Sequence, residues 1–93
     1  MNHENKIEKA KALLRLFPDT ERLPRDERKL KSIHEKLARK LGELGLKIEP
    51  ITTHSVRGMT NEAINELALT LIDNQCQGMI ITIRSFIVAN SQD

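Results

Sequence analysis

The chain has 93 residues, of which 30% are charged and 39% hydrophobic, and its formal net charge at pH 7 is +2. One cysteine excludes an intrachain disulfide, and two phenylalanines without tryptophan or tyrosine require an aliphatic core. A chain of this length holds one small domain, near the lower limit for a self-sufficient core. We therefore treat 1–93 as a single domain and expect self-association to cover part of its apolar surface.

Neither end of the chain predicts membrane insertion. The first eleven residues are charged and lack the apolar centre of a signal peptide. The apolar run of 79–89 is interrupted by Arg84 and is far shorter than the roughly 20 residues that span a bilayer. We expect a cytoplasmic protein without membrane contact.

Two amphipathic helices are predicted in the first half of the chain. The first covers 4–17 and is ended by Pro18, because the residue before a proline avoids helical backbone angles. The second covers 25–44, with Pro24 at its start and Gly45 at its end. Its apolar stripe predicts either a core face or a seam with another subunit, and it consists of Leu30, Ile33, Leu37, Leu41 and Leu44.

A short strand and a third helix follow. In 46–51, apolar and charged residues alternate, and Pro50 confines the strand to a sheet edge. The helix covers 60–77, and Thr60 is placed to cap it. Helical spacing predicts one buried face, formed by Ala63, Ile64, Leu67, Ala68, Leu71 and Ile72.

The last apolar run, 79–88, is compatible with two structures. Its β-branched residues favour a strand, and Gly78 would end the preceding helix. Helical spacing from Cys76 onwards favours a helix instead. We predict a mainly helical α+β fold, with three helices and a two-stranded element formed by 46–51 and 79–88. The alternative is an all-α bundle in which 79–88 is the fourth helix.

Basic side chains on the second helix are the first candidate site. Arg25, Lys29, Lys36 and Lys40 are predicted to share a face that binds nucleic-acid phosphates or an acidic partner. The simpler alternative is a solvated face with intrahelical ion pairs. Segment 33–57 also resembles a helix-turn-helix, although Pro50 would interrupt its recognition helix.

The loop before the third helix is the second candidate site. Thr53, His54 and Arg57 precede a helix N-terminus, whose free N–H groups can bind an anion. No motif brings His54 to the single cysteine, Cys76, and the histidines lack metal-ligand spacing. We expect no catalytic residue, cofactor or metal.

The apolar carboxyl-terminal run is the third candidate site, an oligomer surface formed by Ile80, Ile83, Phe86 and Ile87. The thin core and this run lead to one hypothesis, a non-enzymatic regulatory or adaptor protein that binds other proteins, as a homo-oligomer. The alternative is a small DNA-binding transcriptional regulator that uses helix 25–44 or the segment 33–57.

Overall fold

The computed structural model describes residues 3–17, 23–47 and 55–90, which contain three α-helices. Helix α1 spans His3–Leu14, α2 spans Glu27–Glu43 and α3 spans Asn61–Asn90. With 30 residues, α3 is about 45 Å long, and it packs against both α1 and α2. The two shorter helices are therefore arranged along α3.

Polar contacts show that α2 and α3 run in the same direction. Arg25, just before α2, contacts Glu66 near the start of α3. His34, nine residues further along, donates a hydrogen bond from ring Nε2 to Oε1 of Gln75, which is nine residues beyond Glu66. The two contacts are therefore nine residues apart in both segments and occur in the same order, as expected for parallel helices.

Capping interactions fix both ends of α2. The carboxylate of Asp26 accepts a 3.0 Å hydrogen bond from the N–H of Lys29, so Asp26 is the N-cap and the helix begins at Glu27, two residues after the predicted start at 25. At the other end, Leu46 N–H donates to Leu41 O at 2.9 Å, and Gly45 has a φ of 74°. This pair of features is a Schellman motif and confirms glycine as the terminator.

The start of α3 is also as predicted, but the end of α1 is not. Thr60 Oγ1 accepts a 3.1 Å hydrogen bond from Ala63 N–H and caps the helix. Helix α1 ends at Leu14, three residues before the predicted end. Shorter-range bonds tighten the chain there, as in the 3.0 Å bond from Phe17 N–H to Leu14 O.

The predicted strand over 79–88 is wrong, because α3 continues without a break through Gly78 to Asn90. Helical geometry puts Met79, Ile80 and Ile83 on the same side as the earlier core residues, and all three are at most 2% exposed. Burying such a side chain stabilises the fold by roughly 1.5–3 kcal/mol. A mid-helix glycine costs only about 1 kcal/mol, so packing outweighs the local preferences.

The other predicted strand, 46–51, is contradicted as far as it can be followed. Leu46 and Lys47 form no strand, and 48–51 lie outside the described residues. The described ranges contain helices and no strand, so the α+β prediction fails. The all-α alternative holds in outline, although 79–88 extends the third helix and is not a fourth.

The core is small and aliphatic, as the composition predicts. Leu30, Leu37 and Leu41 of α2 are at most 1% exposed, so their stripe is a core face. The molecule measures 53 × 22 × 18 Å and has a radius of gyration of 15.1 Å, against about 12 Å for a compact chain of this length. The molecule is therefore more elongated than a compact chain of this length.

Candidate functional site

Apolar side chains lie on two opposite sides of α3. One side joins the core through seven residues: Leu69, Ile72, Cys76, Met79, Ile80, Ile83 and Ile87. The other side carries five exposed residues spaced 4, 3, 4 and 3 apart, which we call the outer face: Asn74, Gly78, Ile81, Ser85 and Val88. These positions lie about 160° around the helix axis from the core side, at 100° per residue.

The outer face is uncharged, and it carries two large apolar side chains between small or polar residues. Ile81 is 61% exposed and Val88 is 59% exposed, two of the most exposed large hydrophobic residues in the described chain. A shallow, open groove runs between them and is bordered by Arg84 and Ser85. Arg84 is the only charged residue of α3 after Asp73, and within the described ranges it forms no ion pair.

The predicted oligomer residues do not lie on this face. Ile80 and Ile83 are fully buried in the chain's own core, and Phe86 and Ile87 are half-buried. The strand interpretation did not predict the outer face, because residues alternate between the two sides of a strand and do not follow the helical spacing. The 4, 3, 4, 3 spacing groups these residues on one helical face, and the packing of α1 and α2 determines that this face is the exposed one.

The predicted buried face in the first half of α3 is confirmed in part, because five of its six residues are half-buried and Ala68 is exposed. Of its six residues, only Ile72 packs against the core. Leu67 and Leu71 are half-buried and stand apart from the core cluster, whereas Leu69, which was not predicted, packs against it. The apolar residues in this half thus continue the line of the outer face toward the amino end.

Two of the four predicted basic residues form ion pairs within the chain. Arg25 contacts Glu66 at 3.1 Å and Asp73 at 3.7 Å, which ties the start of α2 to α3. Lys40 Nζ lies 2.7 Å from Glu43 Oε1, and this hydrogen bond lowers the pKa of the Glu43 carboxyl. These two cations therefore have structural partners inside the chain.

A basic surface nevertheless remains on α2. Lys29 and Lys36 are exposed, and within the described ranges neither forms an ion pair. Arg28 and Arg39, which were not predicted, are likewise exposed and lie on the same side. We call these four residues the basic face of α2. Their positions 28, 29, 36 and 39 span about 100° of the helix, which is the signal in the sequence.

The predicted loop site is only partly described. Arg57 is exposed just before α3, in a turn where Met59 N–H donates to Val56 O at 3.1 Å. Thr53 and His54 lie outside the described residues, as does the segment 48–54 that would carry the recognition helix of a helix-turn-helix. Of this candidate site, only Arg57 lies within the described residues.

Cys76 is buried in the core and chemically protected. Burial raises the pKa of its thiol to about 11, and the nearby Asp73 adds to the shift. The thiolate is the reactive form, so this cysteine is a poor nucleophile in the folded chain. Across the described residues, no group of three or more His, Cys, Asp or Glu side chains is placed to hold a metal ion.

No protein-family model matches the sequence, and neither a curated protein nor a solved structure matches it significantly. None of the helices in the described ranges combines the length and hydrophobicity needed to cross a membrane. The basic face of α2 and the outer face of α3 are therefore the features that suggest a function.

Proposed function

We propose that this protein is a non-enzymatic regulatory or adaptor protein that acts by binding other protein chains, and that it self-associates through the outer face of α3. The single observation that carries the proposal is the exposure of Ile81 and Val88 on a face that is otherwise small, polar and uncharged. In a chain with 30% charged residues, none of the five residues of this face is charged.

The shape of the molecule supports the same proposal. The core helices cover one side of α3 and leave the other open along the carboxyl-terminal half. Removing exposed apolar area from water stabilises an assembly by about 25 cal/mol per Å² before the costs of association. Covering Ile81 and Val88 would therefore add to the stability of the assembled protein.

The test is the mass of the protein in solution, measured by sedimentation equilibrium from about 5 to 500 µM. We expect a concentration-dependent oligomer. Ile81→Glu should weaken association at least about tenfold, because it puts a charge in the contact. Leu16→Glu is the matched control, since Leu16 is 63% exposed and lies outside the outer face. A monomer throughout, or equal effects of both variants, would contradict self-association at this face.

The basic face of α2 supports a second candidate function, DNA binding by a transcriptional regulator. Four exposed cations without ion pairs in the described chain extend over 28–39, about 16 Å along the helix. This separation suits contacts to successive phosphates of a duplex backbone. The described residues offer no aromatic side chain beside these cations, so the interaction would rest on charge.

A gel shift at about 50 and 200 mM salt tests the second candidate. Phosphate-driven binding should fall steeply between the two concentrations. Lys36→Glu together with Arg39→Glu should abolish the shift at low salt. Two charge reversals elsewhere, Lys6→Glu and Lys47→Glu, provide the control because both residues are exposed and off this face. Absence of a shift at low salt would eliminate DNA binding.

A further inference from the structure

The sizes of the side chains on the outer face indicate which partner covers it and in which orientation. We infer that the outer face is covered by a second copy of the same chain, whose α3 runs antiparallel, with Gly78 of each copy opposite Ile81 of the other. This inference rests on the proposed function, since it names the occupant of the same surface. It adds the register and the orientation of the two helices. An experiment can contradict these two features and still support self-association.

The first argument is the period of the residues along this side of α3. The half-buried Leu71 and the five exposed residues of the outer face occupy positions 71, 74, 78, 81, 85 and 88, which are spaced alternately by three and four residues. A mean spacing of 3.5 residues is the repeat at which side chains of two α-helices interlock along a shared seam. A second copy necessarily carries the same repeat over the same length, about 26 Å.

The second argument is the complementarity of side-chain volumes. In the antiparallel register, Ile81 of each copy fills the space left by Gly78 of the other. Ser85 then lies opposite Asn74, so that two polar side chains meet, and Val88 lies opposite Leu71. In a parallel pair, each residue faces its own copy, and the layers at Gly78 and Ser85 would be empty. Such voids forfeit packing energy.

The third argument is charge. In the antiparallel register, Arg84 of one copy lies level with residue 75 of the other, two positions from Asp73, which also contacts Arg25 of its own chain at 3.7 Å. In a parallel pair, the nearest acidic residue of the opposing α3 would be eleven positions, about 16 Å, from the level of Arg84. Since Arg84 forms no ion pair in the described chain, the antiparallel arrangement gives it an acidic neighbour.

Gly78 itself provides the fourth argument. A glycine inside a helix costs about 1 kcal/mol relative to alanine. Nothing in the described chain requires it, because a Cβ at this position would meet no heavy atom within 4 Å. Its backbone conformation is ordinary for a helix, with no positive φ. A close approach by another helix explains why the smallest residue stands here.

Disulfide trapping in the full chain tests the orientation. Asn74→Cys and Ser85→Cys are made as separate variants, one with an added tag, then mixed and oxidised with glutathione. A disulfide requires Cα atoms about 4.4–6.8 Å apart. The antiparallel register brings position 74 beside position 85, but keeps each about 16 Å from its own copy along the seam. The mixture should give at least about tenfold more crosslinked heterodimer than either variant gives homodimer.

Controls separate the possible results. The unaltered chain reports any contribution of Cys76, which we expect to be none because that thiol is buried. Leu16→Cys, an exposed position off the face, reports random collisions. Homodimer crosslinks of Ser85→Cys would overturn the antiparallel orientation and leave self-association intact. Sedimentation showing dimers that none of these cysteines trap would overturn the register, and sedimentation showing only monomer would overturn the proposed function as well.

Discussion

Ile80 and Ile81 are adjacent in the chain, yet the first is fully buried and the second is 61% exposed. They form a matched pair for measuring what the core contributes. Ile80→Ala should lower the free energy of unfolding by about 2–5 kcal/mol, because it opens a cavity in the core. Ile81→Ala should change it by less than about 1 kcal/mol at a concentration where the chain is monomeric. Urea titration followed by circular dichroism measures both, and equal losses would mean that the two sides of α3 are misassigned.

Replacing Gly78 is expected to have opposite effects on the stability of the folded chain and on its self-association. Gly78→Ala should raise the free energy of unfolding of the dilute protein by up to about 1 kcal/mol, because alanine favours the helix and meets open space. The same methyl group should weaken self-association by about 1–3 kcal/mol, since it occupies the space assigned to Ile81 of the second copy. Melting at low concentration and sedimentation at high concentration separate the two effects. A variant that is more stable and associates unchanged would place Gly78 outside the interface.

The helices show how far local signals in the sequence reach. The existence of α1 and α2, the end of α2 at Gly45 and the start of α3 at Thr60 were all predictable, because spacing, caps and terminators are encoded within a few residues. The continuation of α3 through Gly78 was not. It depends on which side of residues 76–87 the other helices bury, and that information lies in tertiary packing.

The cap of α3 gives a prediction for a whole element. Thr60→Ala should reduce stability by about 1 kcal/mol, because the N–H of Ala63 loses its acceptor at the start of the helix. Thr60→Ser is the matched control and should retain nearly all of the stability, since serine supplies the same oxygen. Thermal unfolding of the two variants side by side measures the difference. If serine were as costly as alanine, the hydroxyl would not be the stabilising group.

At the scale of the whole molecule, the sequence pointed correctly to a small aliphatic core but could not locate the exposed surface. Chain length indicated a core near the lower limit for self-sufficiency, and the elongated shape agrees with that. The predicted oligomer residues Ile80 and Ile83 instead fill the core, and their neighbours Ile81 and Val88 are exposed. Only the position of α1 and α2 around α3 distinguishes these two sets. The candidate basic site on α2 gives a second example. Arg25 was predicted to belong to it, but Arg25 forms ion pairs with Glu66 and Asp73 of α3, and these contacts depend on how the two helices pack.

The central claim is that the outer face of α3 is the contact through which the chain self-associates. A dilution series of amide nuclear magnetic resonance spectra on the unaltered protein tests this most directly, from about 1 mM to 10 µM. We predict that signals of the outer face, including Gly78, Ile81 and Ser85, shift progressively on dilution, while those of the basic face of α2 stay constant. Spectra that do not change with concentration, or changes confined to other surfaces, would contradict the claim.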